Sequence, residues 1–104
     1  MSSDLESTLE RWAKTYAETN GCILLKIQGT RGWPDRQLLA PGGLTAFVEF
    51  KREGAKLRPL QEYIIADLQT MGFSAGMVDN RKDFQILVAS MLLRGNPTNT
   101  KQGE

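Results

Sequence analysis

The sequence predicts a single α/β domain in which helices flank a mixed sheet, and three observations support this fold class. The 104 residues are 40% hydrophobic and 24% charged, a composition typical of a globular domain with one core. Helical and strand periodicities follow one another in the order α-β-β-β-α-β-α. The turn Pro41-Gly42-Gly43 joins the second and third strands as a hairpin, whereas a helix separates the third strand from the fourth and favours a parallel pair.

The first helix is expected to begin near Asp4 and to end at Asn20-Gly21. Two capping-box patterns mark its start, Ser3-x-x-Glu6 and Ser7-x-x-Glu10. Apolar residues recur at helical spacing and should form its core stripe. This expected stripe consists of Leu5, Leu9, Trp12 and Tyr16.

The remaining elements follow from apolar runs bounded by turn residues. Strands are expected at residues 22–27, 36–39, 44–51 and 73–78. Pro59 suits the first turn of the second helix, which Gly72 ends. Asp79 or Asn80 is expected to cap the third helix, which runs to about Leu93. The apolar residues of the second helix are Leu60, Ile64, Leu68 and Met71, and those of the third are Phe84, Leu87, Val88 and Met91.

The composition changes at Gly95, after which polar residues, Gly and Pro dominate. We therefore expect one domain over residues 1–94 and a disordered tail over residues 95–104. No apolar run approaches the length of a membrane span, and the polar start is unlike a signal peptide. The chain is accordingly expected to act in the cytoplasm without a membrane partner.

The residue inventory excludes several kinds of chemistry. The chain has no histidine, so a histidine base and a Ser-His-Asp triad are both excluded. Its one cysteine, Cys22, forbids an internal disulfide and argues against a zinc site. Any catalysis must therefore use carboxylates, lysine, hydroxyl groups or a metal ion.

Two short segments form a candidate metal site. Asp35 follows the turn Gly32-Trp33-Pro34, and Glu49 and Lys51 end the third strand, with Glu49 fourteen residues after Asp35. Side chains alternate along a strand, so Glu49 and Lys51 share a face while Phe50 points the other way. Carboxylates suit Mg²⁺ or Mn²⁺, and a neighbouring lysine can orient or deprotonate water. This pattern indicates metal-dependent phosphodiester cleavage.

Each segment also has an ordinary structural interpretation. Gly-x-Pro-Asp is a common turn sequence, and Glu-x-Lys on a strand often lies on a solvated face. The strand context favours the functional interpretation, because the run over residues 44–51 is too apolar for a surface ribbon. Charges at the end of a buried strand need a partner or a function.

The charge distribution points to a polyanionic substrate. The whole chain has a net charge of only +1, but seven basic and three acidic residues lie between Lys26 and Arg58. The basic residues bracket the candidate acidic site, as DNA would require. Basic loops scattered on a surface would give the same count. The candidate DNA contacts are Arg31, Arg36, Arg52 and Lys56.

At this level of detail the sequence resembles a known nuclease family. The element order, with Asp35 and Glu49-x-Lys51, is similar to the PD-(D/E)xK nuclease superfamily and its restriction-endonuclease-like fold. The finer pattern resembles the VRR-NUC (virus-type replication–repair nuclease) domain over about residues 5–79. Small standalone members of that family are similar in length and often phage-encoded, which would place the protein in the host cell cytoplasm. The matching segments are Glu10, residues 31–36, residues 41–43, residues 47–51 and residues 59–61.

The resemblance implies a role for each site residue. Asp35 and Glu49 would hold Mg²⁺ or Mn²⁺, with the backbone carbonyl of Phe50 as a further ligand. Lys51 would position or activate water, as in other members of the family. Glu10 would complete the acidic cluster, and Gln61 would support the site.

Two positions leave alternatives open. Glu6 lies one turn before Glu10 on nearly the same stripe, and either acid could serve the site or act only as a cap partner. Glu10 is favoured because Ala13 and Ala17 beside it allow another element to approach closely. Trp33 departs from the family pattern, where a smaller aliphatic residue is usual; it is expected to cover the core, with base stacking as the alternative.

The function expected from these residues is a metal-dependent DNA endonuclease. Cutting two strands symmetrically needs two sites at a fixed separation, which favours a homodimer acting on branched DNA such as four-way junctions. The expected interface consists of Phe84, Leu87, Met91 and Leu92. The competing functions are a non-catalytic DNA-binding module and a small subunit of a larger nuclease complex.

Overall fold

The computed structural model describes residues 5–95, which form three helices and four strands. The helices are α1 (Glu6–Thr19), α2 (Pro59–Thr70) and α3 (Arg81–Gly95). The strands are β1 (Ile23–Lys26), β2 (Arg36–Ala40), β3 (Leu44–Phe50) and β4 (Ser74–Val78). The predicted order α-β-β-β-α-β-α is confirmed, and element boundaries differ from the expected ones by one or two residues.

The four strands form one mixed sheet in the order β1-β2-β3-β4. β1 pairs with β2 and β2 with β3 in antiparallel fashion, whereas β3 pairs with β4 in parallel. The predicted hairpin and the predicted parallel pair are both confirmed. The hairpin register pairs Arg36 with Val48, so Asp35, one residue before Arg36, lies level with the end of β3.

The main core lies between one face of the sheet and the helices α1 and α3. Alternate β3 residues Ala46, Val48 and Phe50 face this core, which leaves Glu49 on the opposite face. The core residues include Leu9, Ala13, Ala17, Leu24, Leu38, Ala46, Val48, Phe50, Phe84, Val88 and Met91. The predicted architecture of a mixed sheet with helices on both faces is confirmed, because α2 packs against β4 outside this cluster.

The expected core stripe of α1 is confirmed at Leu9 and wrong at Leu5, and the most deeply buried face of the helix is rotated toward its alanines. Leu5 is 66% exposed, while Leu9, Ala13 and Ala17 are fully buried. Trp12 and Tyr16 pack only partly against the core, where they stack on each other with ring centroids 5.0 Å apart. The alanine stripe lets α1 approach the sheet closely, and the large aromatic rings fill the flank instead.

The N-cap of α1 also differs from the expectation. Leu5 occupies the N-cap position, and it forms no side-chain capping hydrogen bond. Ser7 lies inside the helix and not at the N-cap position that its capping-box pattern predicted, and Ser3 of the other pattern lies outside the described residues. Helix α3 does have a predicted cap, because Asn80 Oδ1 accepts a hydrogen bond from the Asp83 backbone N–H at 2.8 Å.

The apolar stripe predicted for α2 is confirmed at Leu68 and wrong at its two ends, Leu60 and Met71. Ile65 and Leu68 are its buried residues, whereas Leu60 and Met71 are largely exposed. Helix α2 packs mainly against the single strand β4, so it buries only a narrow line of side chains. Its amino-terminal half instead lies near the end of β3, where Gln61 contacts Glu49.

Burial excludes two of the four residues predicted for a dimer interface on α3. Phe84 and Met91 are completely buried, and Leu87 and Leu92 pack partly against the same core. These side chains are in the core because α3 lies against both α1 and the sheet. The prediction assumed that a core helix buries one narrow stripe of side chains. Helix α3 buries a wider face, because it packs against both α1 and the sheet.

The last described residue, Gly95, ends α3 and is buried against the turn at Pro41 and Gly42. Gly95, which was predicted to be the first residue of the tail, therefore belongs to α3. Residues 96–104 of the predicted tail lie outside the described part of the chain. Within residues 5–95, no helix combines the length and the apolar character needed to cross a membrane.

We predict that Ala13→Leu destabilises the protein, because the added side chain has no space between α1 and the sheet. Overpacking of this kind lowers the free energy of unfolding by about 1–3 kcal/mol. Ala66→Leu is the matched control, since Ala66 is on the exposed surface of α2. Urea denaturation of both variants tests the packing, and equal stabilities would contradict it.

Candidate active site

The site lies at the end of the sheet where β2 begins and β3 ends. The Asp35 backbone N–H donates to Glu49 Oε1 at 3.2 Å, and the Phe50 N–H donates to Asp35 Oδ1 at 3.4 Å. Each carboxylate thus accepts a hydrogen bond from the backbone of the segment that carries the other acid. These hydrogen bonds exist because the hairpin register places the residue before β2 beside the last residues of β3. The two acids that the sequence separated by fourteen positions are therefore neighbours.

Glu49 is the one buried charged residue in the described part of the chain, with 6% of its surface exposed. Its Oε2 accepts a hydrogen bond from Gln61 Nε2 at 3.2 Å and lies 3.9 Å from Lys51 Nζ. Burial raises the pKa of Glu49, and Lys51 and the Asp35 N–H partly offset that rise. Glu49 and Lys51 share a face, as strand alternation predicted.

Gln61 connects the start of α2 to the site. Its Oε1 accepts a hydrogen bond from the Arg58 backbone N–H at 2.8 Å, which caps the helix, while its Nε2 donates to Glu49. The same side chain thus closes the first turn of α2 and orients the buried carboxylate. The sequence pattern of a helix residue after Pro59 gave no sign of this second contact.

Asp35 is the most perturbed acid of the site. Burial is the largest cause, and together with a hydrogen bond from the protonated Asp35 carboxyl to Glu10 and repulsion from Glu49 and Glu10 it raises the pKa of Asp35 to about 7. The hydrogen bond from the Phe50 N–H acts in the opposite direction. The fold therefore concentrates more negative charge around Asp35 than its own hydrogen bonds neutralise.

Both candidate acids of α1 lie near Asp35. Glu6, Glu10 and Asp35 each offer a carboxylate oxygen, and these three atoms lie within 4.8 Å of one another. Glu10 is partly buried, and its Oε1 accepts a hydrogen bond from Arg36 Nη2 at 3.1 Å, whereas Glu6 is exposed. Glu10 is the more closely held of the two. Glu6 joins it from one helical turn away.

The predicted DNA contacts separate into two groups. Arg31, Arg52 and Lys56 are exposed on the loops that border the site, where phosphate could reach them. Arg36 differs, because its side chain is only 17% exposed and pairs with Glu10. The geometry favours an internal role for Arg36 over the phosphate contact that the sequence suggested.

Trp33 is half-buried on the face of the sheet opposite the main core. Its ring packs edge to face on Phe47, with centroids 6.2 Å apart, and Phe47 packs in the same way on Phe73 at 5.4 Å. The tryptophan thus covers apolar side chains of the sheet. This agrees with the expectation that it covers the fold, although on the second face.

Sequence reasoning missed the roles of Glu6 and Arg36. Arg36 and Glu10 are separated by 26 positions, and no local spacing relates them. Glu6 was weighed only as an alternative to Glu10, although the helical repeat places both on one side of α1. That repeat was the signal that could have placed both acids at the site.

Comparison with known proteins agrees with this geometry. A solved structure described as a VRR_NUC domain superposes with a TM-score of 0.68 at 26% sequence identity, covering 88% of this chain and 96% of that one. A second, described as a VRR_NUC domain protein, gives a TM-score of 0.64 at 14% identity over 86% and 87% of the two chains, which supports the fold alone. No family model and no curated protein matches the sequence.

The fold is that of a nuclease domain. The chain is similar to a VRR_NUC domain in fold and in sequence, in agreement with its sequence motifs.

We predict that the stability of the metal-free protein falls as the pH rises from about 4 to about 7. Asp35 has a pKa of 3.8 when unperturbed and about 7 in the fold, so the folded state binds more protons within this range. Asp35→Asn removes this effect and should raise the free energy of unfolding at pH 8 by about 1 kcal/mol, allowing for partial solvent exposure. The gain should vanish near pH 4.

Urea denaturation in EDTA at pH 4, 6 and 8 measures this dependence. Asp67→Asn is the matched control, because Asp67 is on the exposed side of α2. An Asp35→Asn variant that is less stable than the wild type at pH 8 would show that the carboxylate is not under repulsion.

Proposed function

We propose that this VRR-NUC domain is a metal-dependent DNA endonuclease that acts on branched DNA. The observation that carries the proposal is the contact of Asp35 and Glu49 beside Lys51 at the end of the sheet. A structural role does not account for this arrangement, because clustered buried carboxylates destabilise a fold unless a cation binds to them. A non-catalytic DNA-binding module would gain nothing from acids that face phosphate.

The donor set fits a hard divalent cation such as Mg²⁺ or Mn²⁺. Two carboxylates converge there, and burial is the main cause of the raised pKa of each. Oxygen ligands are those that these ions prefer. Asp35, Glu49 and the Phe50 carbonyl would hold the ion, with Glu10 lining the site. When bound, the ion acts as a Lewis acid, which lowers the pKa of water and stabilises charge on the phosphate.

The surrounding residues have separate tasks in this mechanism. Lys51, 3.9 Å from Glu49, positions and activates the attacking water by donating a hydrogen bond from its ammonium group. Gln61 fixes the Glu49 carboxylate through its hydrogen bond. Arg31, Arg52 and Lys56 bind phosphates on either side of the scissile bond, as their exposure permits. The products would have 5′-phosphate and 3′-hydroxyl ends.

The proposed assembly is a homodimer. One domain of this size has little surface with which to hold branched DNA, and a two-fold dimer supplies two sites at a fixed separation. Because Phe84 and Met91 belong to the core, the interface must use other surfaces.

We predict that Glu49→Gln, Asp35→Asn and Lys51→Ala each lower the cleavage rate by about a hundredfold or more while the fold is retained. Removing a metal ligand removes the activation of water with it. Glu53→Gln is the matched control, because Glu53 is an exposed acid four residues after Glu49. The assay uses purified protein, plasmid DNA and Mg²⁺ or Mn²⁺, with circular dichroism to verify folding.

Full activity in any of the three site variants, with contaminating nuclease excluded, would place the chemistry elsewhere. Wild-type protein that binds DNA but never cleaves it with either metal would favour the DNA-binding module. Activity that appears only with an added partner protein would favour a subunit of a larger complex.

We predict that the protein cleaves four-way junctions and flaps faster than linear duplex, and that light scattering at micromolar concentration gives the mass of a dimer. A gel assay with duplex, flap, single-stranded and four-way-junction DNA measures the preference. A monomer mass together with equal rates on linear and branched DNA would contradict both parts.

A further inference from the structure

Arg36 is an arginine held inside a cluster of acids. It is the first residue of β2 and directly follows Asp35. Its Nη2 lies 3.1 Å from Glu10 Oε1, and the two side chains are 17% and 19% exposed, so this ion pair is mostly withdrawn from water. Its Nε is buried and has no hydrogen-bond partner among the described residues. The guanidinium is therefore positioned by charge and by one bond to Glu10.

The acids around this guanidinium could otherwise bind a cation. Glu6, Glu10 and Asp35 place one oxygen each within 4.8 Å of the others, which is the spacing of a ligand set. This set shares Asp35 with the pair Asp35 and Glu49. Two adjacent groups of carboxylates with one common member resemble the requirements of a two-ion site, in which neighbouring ions are about 3.5–4 Å apart.

The two groups differ in the cation available to them. Lys51 lies 3.9 Å from Glu49, which is the distance of a weak contact, whereas Arg36 lies 3.1 Å from Glu10 in direct hydrogen-bonding contact. Arginine keeps its charge at every accessible pH and binds carboxylates strongly. The group on the α1 side thus already contains a cation that belongs to the chain, paired directly with Glu10.

We propose that Arg36 is a positioning residue that takes the place of a second metal ion at Glu6, Glu10 and Asp35, so that the active site binds one divalent ion per chain. The proposal rests on the proposed function, in which Asp35 and Glu49 hold the first ion. Glu10 then acts as the anchor of Arg36 instead of as a metal ligand. The positive charge of Arg36 also offsets part of the repulsion that Glu10 exerts on Asp35.

The test counts bound Mn²⁺ per chain by isothermal titration calorimetry and by the electron paramagnetic resonance signal of free Mn²⁺. Wild type should bind one ion. The Arg36→Met variant, whose side chain is long but uncharged, should bind two ions. The Arg36→Lys variant, which keeps the positive charge, should bind one ion. Arg31→Met is the matched control at an exposed arginine and should bind one. Adding Glu6→Gln and Glu10→Gln to Arg36→Met should return the count to one.

A second measurement does not require an Arg36 variant to fold. Glu10→Gln alone should leave the count at one and weaken Mn²⁺ affinity by about 10- to 100-fold, as expected for a residue that acts through a neighbour of the ligands. Two ions in the wild type, of which Glu10→Gln removes one, would overturn the proposal and leave the proposed function intact. One ion in a folded Arg36→Met variant would also overturn it. No bound ion in the wild type would overturn both.

Discussion

The reciprocal hydrogen bonding between Asp35 and Glu49 is the constraint on which the rest of the site depends. Each carboxylate accepts a backbone N–H from the segment that carries the other, at 3.2 and 3.4 Å. Both bonds require the hairpin register of β2 and β3, and a slip of one residue would move Glu49 to the core face. The apolar side chains that fix this register, among them Val48 and Phe50, therefore fix the spacing of the acids.

The same arrangement of carboxylates destabilises the metal-free protein and prepares the site to bind a cation. Glu49 is almost fully buried, and Asp35 has a pKa of about 7, so the metal-free site carries charge that its surroundings do not fully neutralise. Basic and amide groups reduce this repulsion at separate points: Lys51 and Gln61 at Glu49, and Arg36 at Glu10. A site arranged in this way is prepared to bind a cation, because its carboxylates are already in position before the ion arrives.

Much of this could be predicted from the sequence, because short-range patterns specify it. The Pro41-Gly42-Gly43 turn and the helix between β3 and β4 gave the sheet topology, and strand alternation placed Glu49 and Lys51 on one face. Helix faces were predicted less well, since neighbours in space decide which stripe is buried. On α1 the small residues Ala13 and Ala17 face the sheet and are buried, whereas Leu5 is exposed. The pairing of Arg36 with Glu10 joins distant parts of the chain and has no local signal.

The most direct test is to locate the ion itself. Crystals grown with Mn²⁺ and measured at a wavelength that gives anomalous scattering from manganese would show its position without reference to activity. We expect one peak per chain, within about 2.6 Å of carboxylate oxygens of both Asp35 and Glu49. A peak held by Glu6 and Glu10 without Glu49, or no peak at the end of the sheet, would contradict it.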